Sequence, residues 1–415
     1  MASPKLRFKE FDEDWSDSKL GQLIGISSAS RVFKEQWQTS GVPFFRTSDV
    51  VSISKNKENE KAYISLELFE ELSKKSGKIQ KGDLLVTGGG TIGIPYLVKN
   101  DEPLYFKDAD LLWMKSSGII DGSFLYNFFI SPKFREYLKS ISHTGTISHF
   151  TIEQAKVTPF QYPSKEEQTK IASFLSAVDE KISQLSQKLH LLSQYKQGMM
   201  KKLFSQQIRF KADDGTQFEE WVTKTIKELN LYISDGNYGE LYPTSAQFVS
   251  HGVPFIRANN IKNLKVTNND MRFIDENLHQ ILNSGHLKTN DIIVTTRGDI
   301  GMVALVDSSH EGSNINAQIC LLRVVDQSQL SPQFLLYFLD SSFGQKQFKE
   351  LQTGTALKQL PKKSLDKIIT LVPSINEQTK IANFLSAIDQ KIDVVSEQLE
   401  QAKLWKKGLL QQMFV

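Results

Sequence analysis

"PSKEEQTKIASFLSAVDEKI" occupies residues 163–182, and "PSINEQTKIANFLSAIDQKI" occupies residues 373–392. The offset is 210, and only positions 165, 166, 173, 178 and 180 differ from their partners. The match runs on to "KQGMMKKLF" (196–204) and "KKGLLQQMF" (406–414). Upstream, "GVPFFRTSDV" (41–50) answers "GVPFIRANNI" (252–261), and "SGKIQKGDLLVTGGGTIG" (76–93) answers "SGHLKTNDIIVTTRGDIG" (284–301). "TGT" recurs at 144–146 and 353–355. Repetition in constant order marks a chain written twice. Between the echoes the halves diverge. The organisation is therefore a variable unit (1–162), a repeated helix (163–205), a second variable unit (206–372) and a second repeated helix (373–415).

The repeated segments read as long amphipathic helices. Ser164-x-x-Glu167 and Ser374-x-x-Glu377 have capping-box spacing, each after a proline that ends the preceding strand. Apolar residues then alternate at spacings of four and three: Ile171, Leu175, Val178, Ile182, Leu185 and Leu189 in the first copy, Ile381, Leu385, Ile388, Ile392, Val395 and Leu399 in the second. That is a heptad seam, interrupted at Lys196 and Lys406 and resuming at Met199/Leu203 and Leu409/Met413. About forty residues per helix give roughly 60 Å at 1.5 Å per residue. The economical arrangement packs the two helices on each other. Either orientation is reachable, since a whole variable unit separates them; antiparallel packing would relate the halves by a pseudo-two-fold axis. Phe174 and Phe384 lie beside the seam, which leaves a second role open, docking partner helices.

Each variable unit holds short apolar runs bounded by turn residues, such as "DLLVT", "DIIVTT" and "QICLLRVV", then a helical stretch after Ser-Pro. This reads as a mixed α/β domain around a twisted sheet. Gly88-x-Gly90-x-x-Gly93 has the spacing of a dinucleotide fingerprint and most of a P-loop. The second copy keeps only Gly298 and Gly301. A P-loop needs Lys-Ser/Thr after its last glycine, whereas Ile94-Pro95 follows here, and "YLV" continues as strand rather than helix. The expectation is a tight strand–turn–strand, able to present its tip to a ligand.

Composition is that of a globular chain, 40% apolar and 23% charged, with a net charge of +3. No apolar run approaches eighteen residues, and "MASPKLRFKEFDEDW" has no apolar core of a secretory signal. The single cysteine, Cys320, sits in a strand-like run and supplies neither a disulfide nor a zinc cluster. A cytoplasmic chain is expected. The seven histidines show no metal-binding spacing, no Walker motif is present, and the absence of Pro-Pro removes the Asn/Asp-Pro-Pro-aromatic signature of amino-methyltransferases.

With the doubled "EQTKIA" helix, "GVPF-x-R" and the glycine turn in each half, the chain resembles the specificity subunits of type I restriction-modification systems over nearly its whole length. The resemblance implies an α/β (α+β) protein with two α/β target-recognition domains, separated and joined by two long coiled-coil helices. Each domain would read one half of a split, asymmetric duplex DNA target, and the helices would act as ruler and platform for two methyltransferase subunits, joined by restriction/motor subunits. The chain itself would be non-catalytic and cofactor-free, with S-adenosylmethionine, ATP and Mg on the partners. Arg, Asn, Ser, Thr and Lys read base edges and phosphates. The candidates in the polar turns are Arg46, Ser48, Thr91, Thr146 and Ser148 in the first unit. Arg257, Asn259, Asn260, Arg297, Thr355 and Lys358 are those of the second. Gly88-Gly89 stands where the second copy has Thr296-Arg297, so the first unit lacks an arginine at that turn. Two other readings stay open from the residues alone: a self-sufficient DNA methyltransferase or nuclease, and a coiled-coil adaptor without DNA specificity.

Overall fold

A computed structural model describes residues 3–107, 110–141, 149–355 and 357–414. Two compact units emerge, residues 1–187 with 396–415, and residues 188–395. The dividing points fall inside the two long helices, Lys165–Phe204 and Ile375–Met413.

In the first unit, the strands Ile26–Ser27, Leu111–Met114, Leu84–Thr87 and Pro95–Leu97 form an antiparallel sheet in that order. Its central strands, "LLWM" and "LLVT", are buried at every position, which explains their unbroken apolar sequence. A second sheet pairs Val42–Phe45 antiparallel with Ala62–Ile64 and parallel with Tyr105–Phe106. Ser16–Lys19 pairs with Pro159–Tyr162 beside the helix.

The second unit repeats this plan with a larger main sheet: Tyr232–Asp235, Ile319–Arg323, Ile292–Thr295, Val303–Leu305, Leu264–Val266 and Ile261–Lys262. Val253–Ile256 pairs parallel with Asn314–Ile315, as its counterpart does in the first unit. Val222–Thr225 pairs with Ile369–Val372.

Two short helices close each unit, Gly122–Ile130 with Pro132–Ser140, and Pro332–Asp340 with Ser342–Glu350. A helix follows each Ser-Pro as expected, but the longer second stretch divides into two. Ser131-Pro132 opens the second helix of its pair and Ser331-Pro332 the first, so the two dipeptides are not equivalent. The true counterpart of Ser131 is Ser341: both are buried, and each hydroxyl donates to the carbonyl three residues back, at 2.7 and 2.6 Å.

All twelve seam residues are buried or half-buried. In the first unit Ile171, Leu175 and Val178 share a core with Leu409, Leu410 and Met413. In the second, Met200, Leu203 and Phe204 share one with Ile381, Leu385 and Ile388. In each unit the early half of one long helix meets the late half of the other, which is antiparallel pairing. Met200, rather than the expected Met199, is the buried residue where the seam resumes.

The repeated Glu-Gln pair anchors these helices, and here the capping-box expectation fails. The Ser164 hydroxyl does accept from the Glu167 amide at 3.3 Å, but the Glu167 carboxylate turns away to the Arg7 guanidinium, at 2.8 and 2.7 Å. Glu377 likewise accepts from Arg209 at 3.2 and 2.9 Å and from the Trp221 indole at 2.9 Å, while the buried Ser374 hydroxyl has no partner among the described residues. Both carboxylates are buried, so a bidentate guanidinium is the group that makes their burial tolerable. The Gln168 amide bridges Pro163, Ile119 and Asp121; Gln378 does the same for Pro373, Gln329 and Ser331.

Phe174 and Phe384 are half-buried, and each meets an aromatic ring of its own unit. Phe8 covers the first and Phe210 the second, each at a ring separation of 5.7 Å. The stretch holding Phe8 also bonds the end of the C-terminal helix, Leu6 amide to Gln412 carbonyl at 3.0 Å, as Ile208 bonds Lys202 in the second unit at 3.3 Å.

Candidate nucleic-acid interface

The glycine turn links two antiparallel strands in each unit, Leu84–Thr87 to Pro95–Leu97 and Ile292–Thr295 to Val303–Leu305. A strand, not a helix, follows the glycines. The positive φ of Gly90 and Gly93 (68° and 71°), and of Gly298 and Gly301 (72° and 92°), is why those glycines persist in both copies. A threonine braces each turn from inside. The Thr87 hydroxyl donates to the Thr91 carbonyl and accepts from the Ile94 amide, at 2.5 and 2.8 Å. Thr295 does the same with Asp299 and Met302, at 2.5 and 3.0 Å.

Both turns are also clamped from outside. The Gly88 amide donates to the Asp110 carbonyl at 2.8 Å and its carbonyl accepts from Phe150 at 2.7 Å. Thr296 makes the matching bonds to Gln318 and Leu360, at 2.7 and 2.9 Å. The frame is the same and the side chains on it differ. At the tip, Gly89 faces His149 in the first unit and Arg297 faces Gln359 in the second. Arg297 is exposed, with its guanidinium 5.4 Å from the centre of the Tyr238 ring and, among the described residues, no carboxylate partner. Beside it, Lys362 donates to Asp235 at 3.0 Å, a bond that raises the lysine above its usual pKa. Thr91, Thr355 and Lys358 are exposed on the same loops.

The turns after Val42–Phe45 and Val253–Ile256 hold the other arginines, and they are pinned. Arg46 donates to Asp49 at 2.9 Å and to the Glu60 carbonyl, which lifts the guanidinium above its usual pKa. Arg257 donates to Asp270 at 2.9 Å and holds that carboxyl below the usual range. Ser48 and Asn259 are exposed. Asn260 is corrected: it is fully buried, and its side chain accepts from the Arg257 amide and donates to the Thr267 and Asn269 carbonyls. It holds the turn and presents nothing outward. Thr146 and Ser148 lie outside the described residues.

The smaller-sheet turn reaches the glycine turn in the first unit. The Thr47 hydroxyl donates to the Asp110 carbonyl at 3.3 Å, and Asp110 is the residue that clamps Gly88. Sequence reading missed Tyr238, Lys362, Asp235 and His149. His149 and Lys362 lie in or just past the two Thr-Gly-Thr segments, whereas Asp235 and Tyr238 come to the tip through pairing of Tyr232–Asp235 with Ile319–Arg323. Cys320, on that strand, is buried, and burial pushes its thiol up to about 12. Among the described residues no helix is long and apolar enough to cross a membrane, and no cluster of three or more His, Cys, Asp or Glu could hold a metal.

A family model described as the type I restriction modification DNA specificity domain matches residues 12–193 and again 218–404. The putative type I restriction enzyme MjaX specificity subunit of Methanocaldococcus jannaschii is 24% identical, with 98% of this chain and 94% of that protein covered. The MjaVIII specificity subunit of the same organism is 26% identical over 69% of this chain and 68% of its own length. Among solved structures, the S subunit of a type I restriction-modification system from M. genitalium superposes with a TM-score of 0.62 at 18% identity, covering 100% of this chain and 99% of that one. With both halves matched across nearly all of the chain, it belongs to the type I restriction modification DNA specificity domain family.

Proposed function

We propose that this chain is the sequence-reading, non-catalytic subunit of a type I restriction-modification assembly. Each unit reads one half of a split duplex target, and the chain recruits two methyltransferase subunits and the restriction subunits. The observation that carries this reading is the doubled frame with different tips. Thr87 and Thr295 close the same turn, while Gly89 and His149 stand where Arg297 and Gln359 stand in the other copy. Two copies of one scaffold bearing unlike donors suit two unlike half-sites. Arg297 reads a base or phosphate directly, assisted by Thr355 and Lys358. Thr91 and Ser48 do so in the first unit and Asn259 in the second. Arg46 and Arg257, already satisfied by carboxylates, mainly shape their turns.

The test is to map methylated adenines genome-wide in cells with and without the gene, then with residues 1–162 replaced by the matching region of a relative. The expected result is a bipartite methylated motif that depends on the gene, with one half altered by the exchange. Loss of no motif on deletion, or alteration of both halves by the exchange, would refute the reading.

A further inference from the structure

Each unit contains a groove between the two long helices and the short-helix pair, and the two grooves share counterpart positions. In the first unit it is lined by Arg135, Asp179, Lys403, Lys406 and Lys407, with a volume of 480 Å³. In the second, the same positions are Gln345, Asp389, Ser193, Lys196 and Gln197. The central ion pair is common to both, Lys406–Asp179 and Lys196–Asp389, each at 2.6 Å. The charges around it differ. The second groove balances three lysines (Lys196, Lys201 and Lys262) against Asp340, Asp389 and Asp393. The first sets four cations against Asp179 alone.

Two of those cations have no acid of their own. Arg135 is half-buried, and the one hydrogen bond of its guanidinium among the described residues goes to the Ile92 carbonyl at 3.2 Å. Burial without a carboxylate lowers its pKa, a cost an anion would relieve. Lys407 is exposed and forms no ion pair among the described residues, whereas Lys403 and Lys406 are held by Glu400 and Asp179. The acceptor for Arg135, Ile92, belongs to the glycine turn whose tip carries Thr91. The groove therefore adjoins the element proposed to read DNA.

We propose that this groove is an anion site for a backbone phosphate of the DNA flanking the first half-site, clasped by Arg135 and Lys407. The inference rests on the DNA-reading function above. It makes the two units unequal: the first contributes more of the salt-sensitive grip, and the second, with its neutral groove and Arg297, relies more on its tip. A chain with a net charge of only +3 has reason to concentrate its phosphate-binding cations.

The test uses the assembly purified with its methyltransferase subunits and a duplex carrying the mapped target. The double variant Arg135→Gln with Lys407→Gln installs the residues the second unit already carries at these positions, and Gln345 shows that glutamine also bonds the turn backbone, at 2.8 Å to Gly301. The expected result is a fall of about one to two in the slope of log affinity against log salt, since each phosphate contact contributes roughly 0.9. The methylated motif should be unchanged, and Arg135→Lys with Lys407→Arg should retain the parental slope. An unchanged slope with target preference intact overturns the proposal. So does weaker capture of the methyltransferase subunit at an unchanged slope, which would assign the groove to an acidic protein segment. If the unaltered assembly shows no preference for the mapped duplex over a scrambled one, the DNA-reading function itself falls.

Discussion

The Lys196 ammonium lies 2.6 Å from the Asp389 carboxylate, which also accepts the Tyr337 hydroxyl at 2.7 Å. Its counterpart, Lys406–Asp179, is more open: the Asp179 side chain is 43% exposed against 23% for Asp389. Lys196→Met should therefore cost about 1–3 kcal/mol, because it strands a largely buried carboxylate. Lys406→Met should cost about 0.5–1 kcal/mol, in the range of exposed pairs. Urea denaturation of the two variants gives the comparison, and equal losses would show that local burial does not set the value of the pair.

Glu377→Ala should be a damaging single change, at about 1–3 kcal/mol, because it leaves the buried Trp221 indole without its acceptor and Arg209 with only the Phe218 and Glu219 carbonyls and the exposed Glu220. Glu167→Ala should follow the same course through Arg7. A double-mutant cycle with Arg209→Ala should return a coupling well above that of surface pairs. Independent, additive effects would remove the anchor role.

Arg297→Ala should leave the melting temperature within about a degree, since the side chain is exposed and, among the described residues, has no carboxylate partner, yet relax one position of the methylated motif at a cost of about 1–3 kcal/mol in binding. Arg257→Ala should do the reverse, lowering stability through the loss of Asp270 while leaving the motif intact. Methylation mapping beside thermal melting separates them, and an exchange of the two phenotypes would reverse the assignment.

Asp340 supplies a pH test. Burial raises its carboxyl above the usual value, and Asp389 adds to this while Lys196 opposes it. The folded chain thus holds that proton more tightly than the unfolded one. Stability contributed this way is present below the unfolded value, about 3.9, and is lost as pH rises through the higher folded value. Asp340→Asn should raise the melting temperature at pH 7, with the gain vanishing near pH 3.5. A gain of equal size at both pH values would show that ionisation is not its source.

The doubled helix, its seam and the strand–turn–strand nature of the glycine cluster were legible because each is a local pattern. Periodicity exposes Ile171 and Ile381, and the second copy shows which glycines the backbone needs. What escaped depends on residues far apart. Glu167 and Glu377 have capping-box spacing, but Arg7 and Arg209 stand 160 and 168 positions away and claim their carboxylates. Asn260 sits in a polar turn like its exposed neighbour Asn259, and only the fold shows that one amide faces inward. Tyr238 reaches Arg297 through strand pairing that no local pattern announces.

The inward bracing by Thr87 and Thr295 separates two kinds of mutational history. A change at either threonine removes hydrogen bonds from the turn's own backbone and is paid in folding. A change at Arg297 touches neither brace nor clamp, because its side chain is exposed, whereas a Cβ at Gly89 would come within 3.1 Å of the Asp110 carboxylate, beside the clamp itself. The second unit can therefore change its tip at Arg297 by a single codon while Thr295 stays fixed, with no prior repair of the turn.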